Sequence, residues 1–185
     1  MEAKASRNPG VIAGFVPAKR ASSTGKVRAD DPAARLDAYL RGSDAVALHG
    51  LRLPNGGGEL SHLVIGPSGI TVIDSRNYRS RRAKVGHGGL RVGRRNRSDL
   101  VHDVLGQVDD VQRALADTPY GDVPVEAALA WREVEGLPIL HTFNAPRVVI
   151  CGTRKIAREA ARPGPLTARK VDALASYLEG ELAAA

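Results

Sequence analysis

The chain has 185 residues, 43% of them apolar and 25% charged, which suits one globular domain and excludes a wholly disordered or fibrous protein. A single cysteine, Cys151, excludes an internal disulfide and a cysteine-rich zinc centre and points to a reducing, cytoplasmic setting, while no run approaches the roughly 18 consecutive apolar residues of a membrane helix. The net charge of +7 is unevenly spread: Arg76 to Arg97 holds nine basic residues and no acid, so the remaining 18 basic and 20 acidic residues sum to −2, and such a block attracts polyanions.

Residues 1–29 scatter Gly, Pro, Ser and basic side chains without an apolar period and read as a disordered basic arm, ahead of a domain over 30–185. Pro32 follows Asp31, and Ala34, Leu36, Ala38, Tyr39 and Leu40 recur at helical intervals, which predicts a helix stopped by Gly42. Residues 45–50 form a short apolar run that reads as a strand, followed by a glycine-rich turn at 54–58. Two β-rich runs, Glu59 to Ile65 and Ile70 to Arg76, flank Gly66-Pro-Ser-Gly69 and read as an antiparallel hairpin. If Ile65 pairs with Ile70, then Leu63 faces Val72, Ser61 faces Asp74 and Glu59 faces Arg76. Side chains alternate along a strand, so all eight share one face, apolar at the turn and polar at the open end.

The glycines at 86, 88, 89 and 93 predict a further hairpin or a loose loop within the basic segment. Ser98 is positioned as an N-cap, and Leu100, Val104, Leu105, Val108, Val111 and Leu115 mark a helix to about Ala116. Gln107 lies on this stripe, where a buried amide must find partners. Val125 to Trp131 and Arg147 to Cys151 read as strands, 137–144 gives no clear pattern, Thr153 to Ala161 reads as a helix, and Thr167 opens a last helix through Leu182. This order describes an α/β fold, a mixed central β-sheet flanked by helices.

The stretch Val46 to Tyr78, with Val46-Ala-Leu-His49, Ser61-His-Leu-Val-Ile-Gly-Pro-Ser-Gly-Ile70 and Val72-Ile-Asp-Ser-Arg-Asn-Tyr78, resembles the nuclease-related domain (NERD) family. The likeness continues through Gly89-Leu-Arg-Val-Gly-Arg-Arg95, the helix containing Gln107, Val123-Pro-Val125 and Gly164-Pro-Leu-Thr167. It implies a restriction-endonuclease-like fold of the PD-(D/E)XK superfamily, nucleic acid as partner with DNA favoured, and Mg²⁺ as cofactor. The family pattern implies an Asp at the place of Ser61, an Asp or Glu at Asp74, and a Lys at Arg76. The spacing is kept while two of the three groups are changed, and the family's Gly-Glu pair falls near Asp30 or Asp31, where Pro32 interrupts the match.

Phosphodiester cleavage in such folds uses carboxylates to hold Mg²⁺, which polarises the phosphate and activates water. The neutral hydroxyl of Ser61 is a weak ligand for a hard dication, which leaves Asp74 nearly alone. Glu59 shares its face and is the other candidate metal ligand, but an opposed Arg76 would compete for its oxygens. A guanidinium stays protonated, so Arg76 is excluded as a base and retained as a clamp for phosphate charge. The first expectation is therefore a nucleic-acid-binding domain with weak or lost metal-dependent hydrolysis, its site built from Glu59, Ser61, Asp74, Arg76 and Gln107. Phosphates would contact Arg79, Arg81, Arg82, Lys84, Arg91, Arg94, Arg95 and Arg97. Two alternatives stand beside it: an active nuclease that uses Glu59 and Asp74 as its carboxylate pair, and a protein-interaction module in which these groups form only an ion network.

Other arrangements carry less. His62 adjoins Ser61 in sequence, but adjacent strand residues point to opposite faces, so a Ser61-His62-Asp74 triad is excluded and His62 is expected to pack or hydrogen-bond on the other side. Cys151 reads as a buried structural thiol. Tyr78, Trp131 and Phe143 are too sparse for a single-strand stacking platform, and the glycine clusters lack the context of a phosphate-binding loop.

Overall fold

A computed structural model describes residues 31–53, 58–77, 82–86, 89–132, 143–145 and 148–183. The expected basic arm, Tyr78, Arg79 and Arg81 lie outside the described residues.

The first helix, α1, spans Pro32–Leu40, with Pro at its start and Asp31 as N-cap, whose Oδ1 accepts from the Ala33 N–H at 3.1 Å. Proline suits this place because its missing N–H is one that a helix start leaves unpaired anyway. Three antiparallel strands follow, β1 (Val46–Arg52), β2 (Glu59–Gly66) and β3 (Gly69–Asn77). The β2–β3 register pairs Ile65 with Ile70 and Leu63 with Val72, as the alternation predicts, and its ladder runs as far as His62 and Ile73. At the hairpin tip Gly69 adopts φ 131°, and a Cβ there would lie 2.6 Å from the Pro124 carbonyl oxygen that accepts from the Ile70 N–H, so only glycine fits.

The basic segment forms a second, three-stranded antiparallel sheet of β4 (Ala83–Gly86), β5 (Gly89–Val92) and β6 (Arg95–Asn96). Helix α2 (Ser98–Leu115) comes next, then β7 (Val125–Arg132), β8 (Phe143–Ala145), β9 (Val148–Cys151), α3 (Thr153–Ala160) and α4 (Ala168–Ala183). The larger sheet has the order β1-β2-β3-β7-β9-β8, with β3, β7 and β9 parallel and the outer pairs antiparallel. It is a mixed sheet between helices, an α/β fold consistent with a restriction-endonuclease-like domain.

Each face of the sheet has its own core. Leu63, Ile65, Ile70, Val72 and Leu129 pack with Leu100, Val104, Val108, Val111 and Leu115 of α2 and with Leu174 and Leu178 of α4. Leu36 and Leu40 of α1 and Ile156 and Ala160 of α3 pack with Val64, Ile73, Ala128 and Cys151 on the reverse face. Each fully buried Leu, Val or Ile removes apolar surface worth about 1.5–3 kcal/mol from water. The small sheet joins the first core through Ala83, Leu90 and Val92, so it is anchored rather than loose. No helix among the described residues is long and apolar enough to cross a membrane.

One sequence expectation needs correction, and one unassigned stretch gains a strand. Ser98 is the first residue of α2 rather than its cap. The cap position falls to Arg97, which makes no side-chain cap bond, and Asn96 just before it holds Ser98, its Oδ1 accepting from the Ser98 N–H at 2.9 Å and from the Ser98 hydroxyl at 2.8 Å. The unclear stretch before Arg147 contains β8, a three-residue edge strand whose pairing with β9 is short.

Candidate nucleic-acid interface

The hairpin places Ser61 and Asp74 on the α2 side of the sheet, where Ser61 Oγ donates to Asp74 Oδ1 at 3.4 Å. Arg76 stands two residues beyond Asp74 on the same face, and its Nε donates to Asp74 Oδ2 at 2.8 Å. Asp74 is only 4% exposed, whereas the Arg76 side chain is 43% exposed. Both carboxylate oxygens are therefore engaged, and the exposed guanidinium keeps its terminal N–H groups free among the described residues.

Glu59 does not join this cluster. The ladder ends before it, its side chain is exposed, and its Oε1 lies 3.6 Å from the place a Cβ on Gly50 would occupy, on the β1 side. The expected Glu59–Arg76 pair is absent, and Arg76 takes Asp74 instead. The physical reason is burial: an unpaired carboxylate in the interior costs far more than one at the surface, so Asp74 captures the cation and Glu59 stays hydrated. Gln107 reaches the start of β2 from α2, its Nε2 donating to the Glu59 carbonyl at 3.4 Å, while its Oε1 is buried without a partner.

A divalent ion needs several oxygen ligands converging on one point. Ser61 supplies a neutral hydroxyl, Asp74 is occupied by a guanidinium, and Glu59 is turned aside. Among the described residues no group of three or more His, Cys, Asp or Glu side chains is arranged to hold a metal. This donor set does not fit Mg²⁺.

Of the basic residues, Arg82, Lys84, Arg91, Arg94 and Arg95 are exposed on or beside the small sheet. Arg97 is turned to Asp99 through three hydrogen bonds of 3.0–3.1 Å, which hold the Asp99 carboxyl below its ordinary range. On the reverse face His62 is 8% exposed, and its Nδ1 lies 2.9 Å from His49 Nδ1, while His49 Nε2 lies 3.1 Å from Asp37 Oδ1. His62 thus bonds away from Ser61, as alternation requires. Sequence reasoning missed His49, though extending the strand pairing to β1 would have found it opposite His62. Cys151 is buried, and burial pushes its thiol up to about 11, so it is inert as a nucleophile.

No curated protein and no solved structure matches the chain. The sequence model of the nuclease-related domain family, NERD, matches residues 25–131, more than half the chain, and spans the hairpin, the basic sheet, α2 and nearly all of β7. With that match added to the mixed sheet and the Ser61-Asp74-Arg76 cluster at its hairpin, the chain belongs to the nuclease-related domain family.

Proposed function

We propose that this domain binds nucleic acid, DNA foremost, through its phosphates and has weak or no metal-dependent phosphodiesterase activity. What supports the reading most is the bonding of Asp74: its oxygens are taken by Arg76 and Ser61, which leaves no carboxylate pair for a divalent ion among the described residues. Arg76 then acts as a fixed positive group, with Asp74 orienting it and its exposed N–H donors available to a phosphate oxygen. Arg82, Lys84, Arg91, Arg94 and Arg95 supply the surrounding positive field, Arg79 and Arg81 extend it in sequence, and Arg97 contributes charge partly offset by Asp99. The lone buried Cys151 accords with a cytoplasmic location.

The test is incubation with Mg²⁺ or Mn²⁺ on linear, circular and single-stranded DNA, alongside binding measured against salt. Binding that weakens steeply with salt, without cleavage, is expected. Robust cleavage abolished by Asp74→Ala but kept by an unrelated surface substitution overturns the proposal. The carboxylate of Glu59, exposed and in no ion pair among the described residues, favours a second reading, an active nuclease using Glu59 with Asp74; it requires metal-dependent cleavage that Glu59→Gln removes.

A further inference from the structure

The small sheet narrows the nucleic-acid reading on which this inference rests. Its inner face is apolar, with Ala83, Leu90 and Val92 buried, and its outer face carries Lys84 directly opposite Arg91. Like charges so opposed repel. Arg94 follows in the exposed turn after Gly93, and the exposed Arg95 opens β6 opposite Val92. Among the described residues no carboxylate lies within ion-pair distance of these four, and the nearby Asp99 is held by Arg97. The platform is rigidly tied to α2, with the Leu90 N–H donating to Ser98 Oγ at 3.3 Å and the Arg97 N–H donating to the Leu90 carbonyl at 2.7 Å. Four uncompensated cations are therefore held in fixed places, and a polyanion would relieve their repulsion.

Among the described residues, the two outward strand groups best suited to reading bases are otherwise engaged. Asn96, the one amide on the sheet, stands opposite Arg91, but its oxygen is consumed by the two bonds from Ser98. Arg91 Nη2 donates to the Arg94 carbonyl at 3.4 Å, which draws the guanidinium back toward the turn and away from a base-reading pose. The strands carry no aromatic side chain on which unpaired bases would stack. A duplex, by contrast, presents one charge per about 1.7 Å of its axis and needs no stacking surface to be held.

We infer that the β4–β5–β6 sheet is a sequence-neutral grip for the phosphate backbone of duplex nucleic acid, with Lys84, Arg91, Arg94 and Arg95 as its contacts. The experiment is fluorescence anisotropy of the full chain with a labelled DNA duplex, with each of its separated strands, and with a second duplex of different base composition, each across a salt series. The duplex is expected to bind about tenfold more tightly than either strand, because single-strand affinity leans on base stacking that the sheet lacks. The two duplexes are expected to agree within about twofold, well short of the discrimination that base contacts give. In the Lys84→Gln/Arg91→Gln double variant the slope of log affinity against log salt becomes shallower by about two, one unit per lost phosphate contact. Both side chains are exposed, and an unchanged thermal midpoint verifies that the variant folds. Strands bound as tightly as the duplex, or a tenfold preference between duplexes, overturns this inference while leaving nucleic-acid binding intact. An unchanged slope in the folded double variant removes the sheet from the interface. Absence of binding to every probe at low salt overturns the inference and the functional reading together.

Discussion

Substituting His62 should flatten the acid side of the stability curve. His62 lies on the face of β2 opposite Ser61, packed edge-on against His49 with ring centroids 4.9 Å apart and an 85° interplanar angle. If His49 Nε2–H donates to Asp37, then His49 Nδ1 accepts, His62 Nδ1–H donates, and His62 Nε2 is left as a buried lone pair without a donor. Burial, reinforced by the neighbouring His49, lowers the His62 pKa from 6.5 to about 4, against the opposing pull of Asp31 and Asp37. Since the folded pKa is below the unfolded one, the unfolded chain binds the extra proton between these values. Stability from this group is complete above pH 6.5 and drains away as pH falls toward about 4. The loss works out at about 2 kcal/mol by about pH 5 and about 3 kcal/mol by about pH 4. Urea unfolding of the wild type and of His62→Leu between about pH 7 and pH 5 isolates the term, because other groups titrate in both proteins. The wild type should lose about 2 kcal/mol more than the variant over that range. Parallel pH curves, or an NMR titration of His62 at or above its ordinary value, would refute the reasoning.

Three further outcomes follow from the geometry. Asp74→Ala strips Arg76 of its charged partner and should destabilise the fold by about 1–3 kcal/mol in urea unfolding; an unchanged midpoint would mean that the pair is not formed. Gly69→Ala forces a left-handed residue and a close approach to the Pro124 carbonyl, so it should cost at least about 1–3 kcal/mol and lower the thermal midpoint. The double substitution Ser61→Asp with Arg76→Lys supplies a second carboxylate and a compact, tunable cation, and should raise Mg²⁺-dependent nicking of DNA above that of the wild type; a double variant no more active than the wild type would mean that these two groups do not limit hydrolysis.

The hairpin could be read in advance because its turn chemistry and its apolar alternation agree on one register, and a slip by one residue would turn Leu63, Ile65, Ile70 and Val72 outward. The α2 stripe was equally plain, with five of its six marked positions buried and Leu105 packed at the margin. Pairing at the open end of the hairpin was not readable. Directly opposed positions favoured Glu59 with Arg76, but the ladder stops at His62 and Ile73 and Asp74 lies deeper, both properties of the tertiary packing. The start of α2 was hidden for a similar reason, since the short strand β6 leading into it, and not the residue type alone, leaves Arg97 at the cap position and Ser98 as the first helical residue. His49 and β8 depend on pairings across the sheet, which local patterns do not encode.

Calorimetric titration of Mn²⁺ into the wild-type chain tests most directly whether Asp74 serves a guanidinium or a metal. Only weak, non-saturating heat is expected, the same in Asp74→Ala. A saturable site that this substitution abolishes would show that Asp74 leaves Arg76 for the ion, and would contradict the account.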